Sequence, residues 1–249
     1  MCQEFINVVD ISSPFPYHAA YRIGPDSTLV RRELPPHIRG GLLSLSDRDA
    51  APLNAGKLAS ALFRECARRN YGGILLDFEQ SPAPDRQALA AALLRECGRW
   101  RKTLVVPESY APTVPGARIL INTALSGGSL EARLREAAAR YGPGYAALDA
   151  QRLAMEFSLP EPSGEGRPLT WEALRQLMAE EAPAVFFSGD LCARYFTYTR
   201  GGQTRFVLFD DAETLAQKLR LGGALGYRTA FLVYPEVADL LPELFRQKK

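Results

Sequence analysis

The stretch Gly72-Gly73-Ile74-Leu75-Leu76-Asp77-Phe78-Glu79-Gln80 is an apolar run that ends in two acidic residues. A short apolar run that starts at glycine and breaks at Ser81-Pro82 predicts a strand buried on both faces. Because side chains alternate along a strand, Asp77 and Glu79 point to the same side. Two acids at the end of a buried strand cost solvation energy unless they are paired or used. An α/β barrel holds its catalytic groups at this end of its strands.

Apolar runs that predict strands alternate with amphipathic segments that predict helices along most of the chain. The predicted strands are Phe5–Val9, Gly41–Leu45, Ile74–Glu79, Thr103–Pro107, Ile119–Asn122, Leu153–Phe157, Ala184–Ser188, Arg205–Phe209 and Thr229–Tyr234. The predicted helices are Ala55–Arg69, Asp85–Trp100, Leu130–Arg140, Thr170–Glu181 and Glu213–Leu225. Such alternation favours parallel pairing, and about eight units favour closure into a barrel.

We therefore predict an α/β fold, a single (β/α)8 TIM barrel that forms one domain over residues 1–249. Its loops are expected to be short, without room for an additional α+β unit. Two stretches depart from the alternation. Ser12–Pro36 is predicted to be a long loop, and Arg200-Gly201-Gly202-Gln203 predicts a hairpin turn. Asp210 and Glu213 predict the start of the last helix.

Composition excludes several classes of function. The formal net charge of +2 is too small to indicate nucleic acid or an anionic membrane as a partner, and no apolar run approaches the roughly 20 residues of a membrane helix. The N-terminus shows no secretory signal, so we expect a cytoplasmic protein, with association with spores as an alternative. Four cysteines and two histidines without metal-ligand spacing predict no metal site. No cofactor is predicted, since Ser126-Gly127-Gly128-Ser129 lacks the lysine of a phosphate loop.

Two segments, in the expected order, resemble glycoside hydrolase family 18. Gly73–Glu79 is similar to the family signature D-G-x-D-x-D-x-E. Its Phe78-Glu79 ending and the following Asp85-Arg86 look most like spore cortex-lytic N-acetylglucosaminidases. Downstream, Phe209–Lys218 resembles the family's penultimate helix, which begins with two aspartates. The resemblance implies a chitinase-like TIM barrel that acts on glycans containing β-1,4-linked N-acetylglucosamine, such as peptidoglycan or chitin-like chains.

The resemblance also implies a substrate-assisted, retaining mechanism. Glu79 would protonate the glycosidic oxygen as the general acid. Asp77 would hold the N–H of the substrate's 2-acetamido group, whose carbonyl oxygen then attacks the anomeric carbon. The other candidates are expected to bind the substrate: Phe78, Glu108, Tyr110, Met155, Phe157 and Tyr234.

Several positions depart from the family pattern. Leu75 replaces the inner aspartate that would neighbour Asp77. The family's sixth-strand Met-x-Tyr-Asp falls on Met155-Glu156-Phe157-Ser158, where Phe157 lacks the hydroxyl that donates to the acetamido oxygen. Tyr234 stands where the family has tryptophan, and Tyr110 and Glu108 could compensate for lost polar groups, although loop or capping roles suit them equally.

Two alternatives to catalysis follow. One is an inactive relative that binds glycans as a lectin does, and the other is a role in spore or envelope assembly. In a purely structural reading, Asp77 caps the next turn and Glu79 pairs with an arginine at the barrel rim.

Overall fold

A computed structural model describes residues 5–8, 18–32, 41–48, 52–160 and 166–244. The strands are β1 (Phe5–Val8), β2 (Ala19–Gly24), β3 (Thr28–Arg31), β4 (Leu42–Ser46), β5 (Gly73–Asp77), β6 (Thr103–Pro107), β7 (Arg118–Asn122), β8 (Ala146–Asp149), β9 (Ala154–Leu159), β10 (Arg167–Pro168), β11 (Phe186–Ser188), β12 (Ala193–Arg200), β13 (Gln203–Phe209) and β14 (Ala230–Val233). The helices are α1 (Ala55–Arg69), α2 (Pro84–Trp100), α3 (Leu130–Tyr141), α4 (Trp171–Glu181), α5 (Ala212–Ala224), α6 (Tyr234–Val237) and α7 (Leu241–Leu244).

A curled, mostly parallel sheet forms the body of the fold. Its strand order is β1-β14-β8-β7-β6-β5-β4-β2-β3, and every pair is parallel except β1 with β14 and β2 with β3 at the two edges. The curl brings the His18 ring, just before β2, to 5.5 Å from the Phe231 ring on β14. Among the described residues no backbone pairing joins β1 to β2 or β3, so the two sides of the sheet meet there through side chains.

Alternation along the strands divides the core into two layers. Leu75 of β5, Leu120 of β7 and Ala147 of β8 belong to a fully apolar cluster on the concave side. The intervening residues, such as Ile74 and Leu76, pack against the helices in a larger outer cluster. The strands are therefore apolar on both faces, as parallel strands covered by helices must be.

The helices begin where their capping residues require. In α1, the Asn54 side chain accepts from the Lys57 N–H, and an apolar stripe that includes Leu58 and Leu62 faces the sheet. In α5, Asp211 and Thr214 form a reciprocal capping box. The predicted start at Asp210 is therefore one residue too early, because Asp210 itself is buried in an ion pair.

A second sheet lies between β8 and α5. It is antiparallel throughout, in the order β10-β9-β13-β12-β11, and α4 packs on one face of it. The β12–β13 hairpin turns at Gly201 and Gly202, which both have positive φ, as a two-residue hairpin favours. The expectation of short loops without an additional α+β unit is wrong at this place.

The α/β barrel-type fold predicted from the sequence is confirmed. Three predicted barrel strands, Leu153–Phe157, Ala184–Ser188 and Arg205–Phe209, instead lie in the second sheet. Hydrophobic pattern identifies a strand but not the sheet that it joins, since partners come from distant parts of the chain. The predicted loop Ser12–Pro36 contains β2 and β3 within its described part, 18–32.

No helix in the described ranges has the length and apolar character needed to cross a membrane.

Candidate active site

A cleft of about 350 Å³ opens at the carboxyl ends of β5, β6, β7 and β8. Loops at this edge of a parallel barrel are where enzymes of the fold place their reacting groups. Four of the predicted site residues line it together: Asp77, Phe78, Glu79 and Glu108. The polar lining residues that the sequence did not suggest are Ser109, Asn122, Asp149 and Gln151.

Asp77 is the last residue of β5 and lies on the concave side of the sheet. It follows Leu75 of the interior cluster by two residues, so the alternation of the strand points both side chains inward. Burial raises the pKa of Asp77 well above its usual range, and the negative charges of Asp149 and Glu79 raise it further. Arg48 acts in the opposite direction. The cleft thus favours the protonated form of Asp77 more than water would.

Glu79 lies at the outer rim of the cleft, with 44% of its side chain exposed. Arg48 holds it with two hydrogen bonds, from Nε to Oε2 at 3.2 Å and from Nη2 to Oε1 at 2.5 Å. Its backbone N–H donates to Oδ1 of the fully buried Asp47 at 3.0 Å, and Arg86 fixes the other oxygen of Asp47 at 2.8 Å. The backbone at Glu79 is therefore firmly placed, while its carboxylate is held in an exposed ion pair.

Glu108 follows β6 in a single 3-10 turn, Glu108–Tyr110. Its carboxylate accepts from Arg133 and, at 3.2 Å, from the Tyr141 hydroxyl. Both partners belong to α3. These contacts fix Glu108 as a polar wall of the cleft.

Phe78 and Tyr110 pack against each other in the outer core, with ring centroids 5.7 Å apart at 71°. Tyr110 is fully buried, and its hydroxyl has no hydrogen-bond partner among the described residues. Burial raises the pKa of this hydroxyl to about 12. Tyr110 does not line the cleft, so the structure does not place its hydroxyl where a substrate group would need it.

Met155, Phe157 and Tyr234 are not brought to the cleft either. Met155 and Phe157 lie on β9 of the second sheet, in an apolar cluster there, because the chain leaves the parallel sheet after β8. The Phe157 ring stands 6.1 Å from that of Phe206 and packs as core. Tyr234 is half-buried at the start of α6.

Asp149 is the main residue that the sequence analysis missed. It ends β8, lies opposite Asn122 of β7, and follows Ala147 of the interior cluster by two residues. Burial raises its pKa to about 7, although Gln151 donates to its Oδ2 at 2.8 Å. The run Tyr145-Ala146-Ala147-Leu148-Asp149 has the same apolar-then-acidic form as the segment ending at Asp77. Alanine has low β propensity, and this hid the strand.

Comparison with solved structures shows the same fold in glycan-processing proteins. The protein ydhD of Bacillus subtilis, proposed to be a sporulation-specific glycosylase, matches with a TM-score of 0.67 at 12% identity over 93% of this chain and 96% of that chain. A chitinase from Chromobacterium violaceum matches with a TM-score of 0.65 at 15% identity, over 94% and 92% of the two chains. The spore cortex-lytic enzyme SleL of Bacillus cereus matches with a TM-score of 0.62 at 15% identity, over 92% and 67%.

The resemblance to chitinase-like proteins predicted from the sequence is thereby confirmed for the fold. No family model matches the chain, and a search of curated proteins gives no match. At these identities the likeness shows the fold alone, and any reaction depends on the residues of the cleft.

Proposed function

We propose that the protein is a glycosidase that binds a glycan containing β-1,4-linked N-acetylglucosamine, of the peptidoglycan or chitin type, in this cleft. The observation that carries the proposal is the position of Asp77 and Glu79 on one cleft, at the carboxyl edge of a chitinase-like sheet. Most glycoside hydrolases use two carboxyl groups in different environments, and in substrate-assisted ones the acetamido group of the substrate supplies the nucleophile.

The proposed reaction retains the configuration at the anomeric carbon. Glu79, at the open rim, protonates the leaving glycosidic oxygen. Asp77, deeper and on the concave side, accepts the acetamido N–H and turns the acetamido oxygen toward the anomeric carbon. The bond to the leaving group breaks as that oxygen bonds to the sugar. Water then attacks the anomeric carbon and opens the resulting ring, and the deprotonated Glu79 takes up the proton that the water loses.

The ion pair between Glu79 and Arg48 has to open before Glu79 can deliver a proton. As long as Arg48 donates to both of its oxygens, the carboxyl group of Glu79 has no oxygen free to face the glycosidic bond. Both side chains are more than 40% exposed, and exposed ion pairs of this kind contribute only about 0–1 kcal/mol. A sugar ring that enters the cleft could therefore displace Arg48 at small cost, and its arrival would also remove water from Glu79.

The amide of Asn122 is the best-placed donor for the acetamido oxygen. Its Oδ1 accepts from the Ala124 N–H at 2.7 Å, which leaves the NH2 group as the part free to contact a ligand. Asn122 lines the cleft on β7, between the strands that carry Glu108 and Asp149. An amide donor here takes the role that the resemblance would have given to a tyrosine at Phe157.

A second candidate is glycan binding without turnover. Two observations favour it: the guanidinium of Arg48 already occupies both oxygens of Glu79, and the predicted hydroxyl donor Tyr110 lies outside the cleft. A binding protein would use the same cleft, with Asp77 and Asn122 as contacts to the acetamido group.

The test compares the wild-type protein with Glu79→Gln on N-acetylglucosamine oligomers and on spore peptidoglycan. Glu131→Gln is the matched control, because Glu131 forms an exposed ion pair with Arg135 on α3, away from the cleft. Products from the wild type and the control, but none from Glu79→Gln, support the proposal. Equal binding by all three proteins without products establishes the second candidate, and neither binding nor products refutes both.

A further inference from the structure

The segment after β4 holds Glu79 through two consecutive residues that contact different parts of it. Arg48 contacts the carboxylate at the exposed rim. Asp47, one residue earlier, accepts from the backbone N–H of Glu79 at 3.0 Å. The sheet brings these residues together, because β4 and β5 are parallel neighbours in which Ser46 lies opposite Asp77. The residues that follow the two strands therefore meet at the same edge.

All three oxygen atoms of Asp47 accept hydrogen bonds. Oδ1 accepts from the Glu79 N–H, and Oδ2 accepts from Nε of Arg86 at 2.8 Å. The backbone oxygen accepts from Nε2 of Gln80 at 3.2 Å. The side chain of Asp47 is completely buried and that of Arg86 nearly so. The carboxylate is therefore confined to one orientation, because turning it would leave buried donors without partners.

Arg86 is itself fixed on the first turn of α2. Its Nη1 lies 3.3 Å from Oδ2 of Asp85, and that oxygen also accepts from the Leu53 N–H at 2.8 Å. The buried pair of Asp47 and Arg86 thus connects the residues after β4 and β5 to the start of α2 and to the segment before α1. Four parts of the chain hold the backbone of Glu79 together.

The two contacts of Glu79 differ in how easily they break. The pair with Arg48 is more than 40% exposed on both sides, so a ligand can replace it at small cost. The contact with Asp47 belongs to a buried ion pair, and the loss of one partner from such a pair is strongly destabilising. Glu79 can therefore change the partner of its side chain while its backbone stays in place.

We infer that Asp47 is a positioning residue that acts through the backbone of Glu79, and that Arg86 holds Asp47 in the orientation this requires. The inference rests on the proposed function, in which the carboxyl group of Glu79 exchanges Arg48 for the glycosidic oxygen. Asp47 does not line the cleft, so it affects the reaction only through Glu79. Placement matters because a misplacement of about 1 Å can cost about 100-fold in rate.

The first experiment compares hydrolysis of N-acetylglucosamine oligomers by the wild type, Asp47→Ala, Asp47→Asn and Asp210→Asn. For Asp47→Ala we expect kcat to fall about 100-fold, with KM nearly unchanged because the residues that line the cleft are the same. Asp47→Asn should recover part of this loss. Its amide oxygen can still accept from the Glu79 N–H, and Arg86 keeps Asp85 as a counter-charge.

Asp210→Asn is the matched control. Asp210 is also completely buried, pairs with a cation and accepts from a backbone N–H, but it does not line the cleft or contact Glu79. Its replacement should lower the stability and leave kcat of the folded protein close to that of the wild type. Circular dichroism at the assay temperature establishes that each variant is folded.

Unchanged kcat in Asp47→Ala overturns the inference and leaves the proposed function intact. An equal fall of kcat in Asp210→Asn also overturns it, because the loss would then come from lower stability and not from the placement of Glu79. If Asp47→Ala does not fold, Asp47→Asn takes its place, and a kcat equal to that of the control overturns the inference.

A second measurement does not depend on turnover. Hydrogen exchange of the Glu79 amide, followed by NMR, should be slow in the wild type and in Arg48→Gln but should lose its protection in Asp47→Ala, because Asp47 is the acceptor of that N–H. The Leu153 amide, which donates to Asp210, should exchange alike in all three. This result supports the inference even if the wild type cleaves no glycan, an outcome that counts against the proposed function alone. Equal exchange of the Glu79 amide in Asp47→Ala and the wild type overturns the inference.

Discussion

The buried ion pair between Asp210 and Lys218 offers the sharpest test of how the fold is held together. Nζ of Lys218 lies 2.7 Å from Oδ2 of Asp210, and both side chains are completely buried. Asp210 also accepts from the Leu153 N–H and the Thr214 hydroxyl, both at 2.9 Å. It thereby joins the segment that enters the second sheet to α5. We expect Asp210→Asn to destabilise the protein strongly, because it leaves the buried ammonium without its counter-charge.

The magnitude follows from the distance and the burial. At an effective dielectric constant of about 20, unit charges 2.7 Å apart attract by about 6 kcal/mol. Desolvation offsets much of this in the intact pair, but removal of one partner typically costs about 3–5 kcal/mol. For a chain of this size, that loss lowers Tm by about 6–20 °C. Lys218→Met should cost less, since burial raises the pKa of Asp210 and the carboxyl can take up a proton.

Urea unfolding followed by circular dichroism measures these free energies in a double-mutant cycle. The double variant, with Asp210→Asn and Lys218→Met together, should be more stable than Asp210→Asn alone, because no buried charge remains. Glu131→Gln serves as the control for an exposed pair and should cost no more than about 0.5 kcal/mol. A loss below about 1 kcal/mol for Asp210→Asn, or simple additivity in the double variant, would refute the reasoning.

Three further predictions concern the cleft and the sheet. In the folded protein burial raises the pKa of Asp149 from 3.8 to about 7. The free energy of unfolding should therefore fall as pH rises between these two values, by up to about 4 kcal/mol. Urea unfolding at pH 5 and pH 8 should show a smaller fall for Asp149→Asn than for the wild type. Glu79→Gln should change the free energy of unfolding by less than about 1 kcal/mol, since its pair with Arg48 is exposed; a larger loss would mean that missing activity reflects misfolding. Gly73→Ala should lower the free energy of unfolding by about 3 kcal/mol or more, because the new Cβ would lie 2.1 Å from a backbone oxygen of β6. Gly98→Ala, whose new Cβ has nothing within 4 Å, should instead stabilise α2 by about 0.5–1 kcal/mol. Equal thermal shifts for the two glycine variants would contradict this.

The elements of the parallel sheet were largely predictable because their signals are local. The predicted α1 agrees with the structure at both ends, and β6 likewise. The segment ending at Asp77 was read correctly as an inward-facing strand because a period of two and a glycine-bounded apolar run need no distant partner. β2 was missed because the sequence around it is rich in proline and aromatic residues, which resembles a loop.

The candidate site was only partly predictable. Asp77 and Glu79 are neighbours in sequence, so one strand places them together on the cleft. The prediction for Met155 and Phe157 depended on the sheet that β9 would join. β9 joins the second sheet because it pairs with β13, which lies about 50 residues later in the chain. The pairing of Glu79 with Arg48 likewise depends on the neighbouring strand β4.

The sequence by itself determined the five longer helices, many of the strands, which face of β5 is acidic, and where the carboxyl edge of the sheet would place those acids. Only the tertiary structure decided that Asp149 lines the same cleft as Asp77, that Arg48 holds Glu79, and that the chain leaves the parallel sheet after β8 to build a second one. The physical reason is the distance along the chain over which each interaction acts. Side-chain alternation and helix capping act over a few residues, whereas strand partners and the electrostatic surroundings of a buried acid depend on groups that are distant in sequence and meet only in the folded chain.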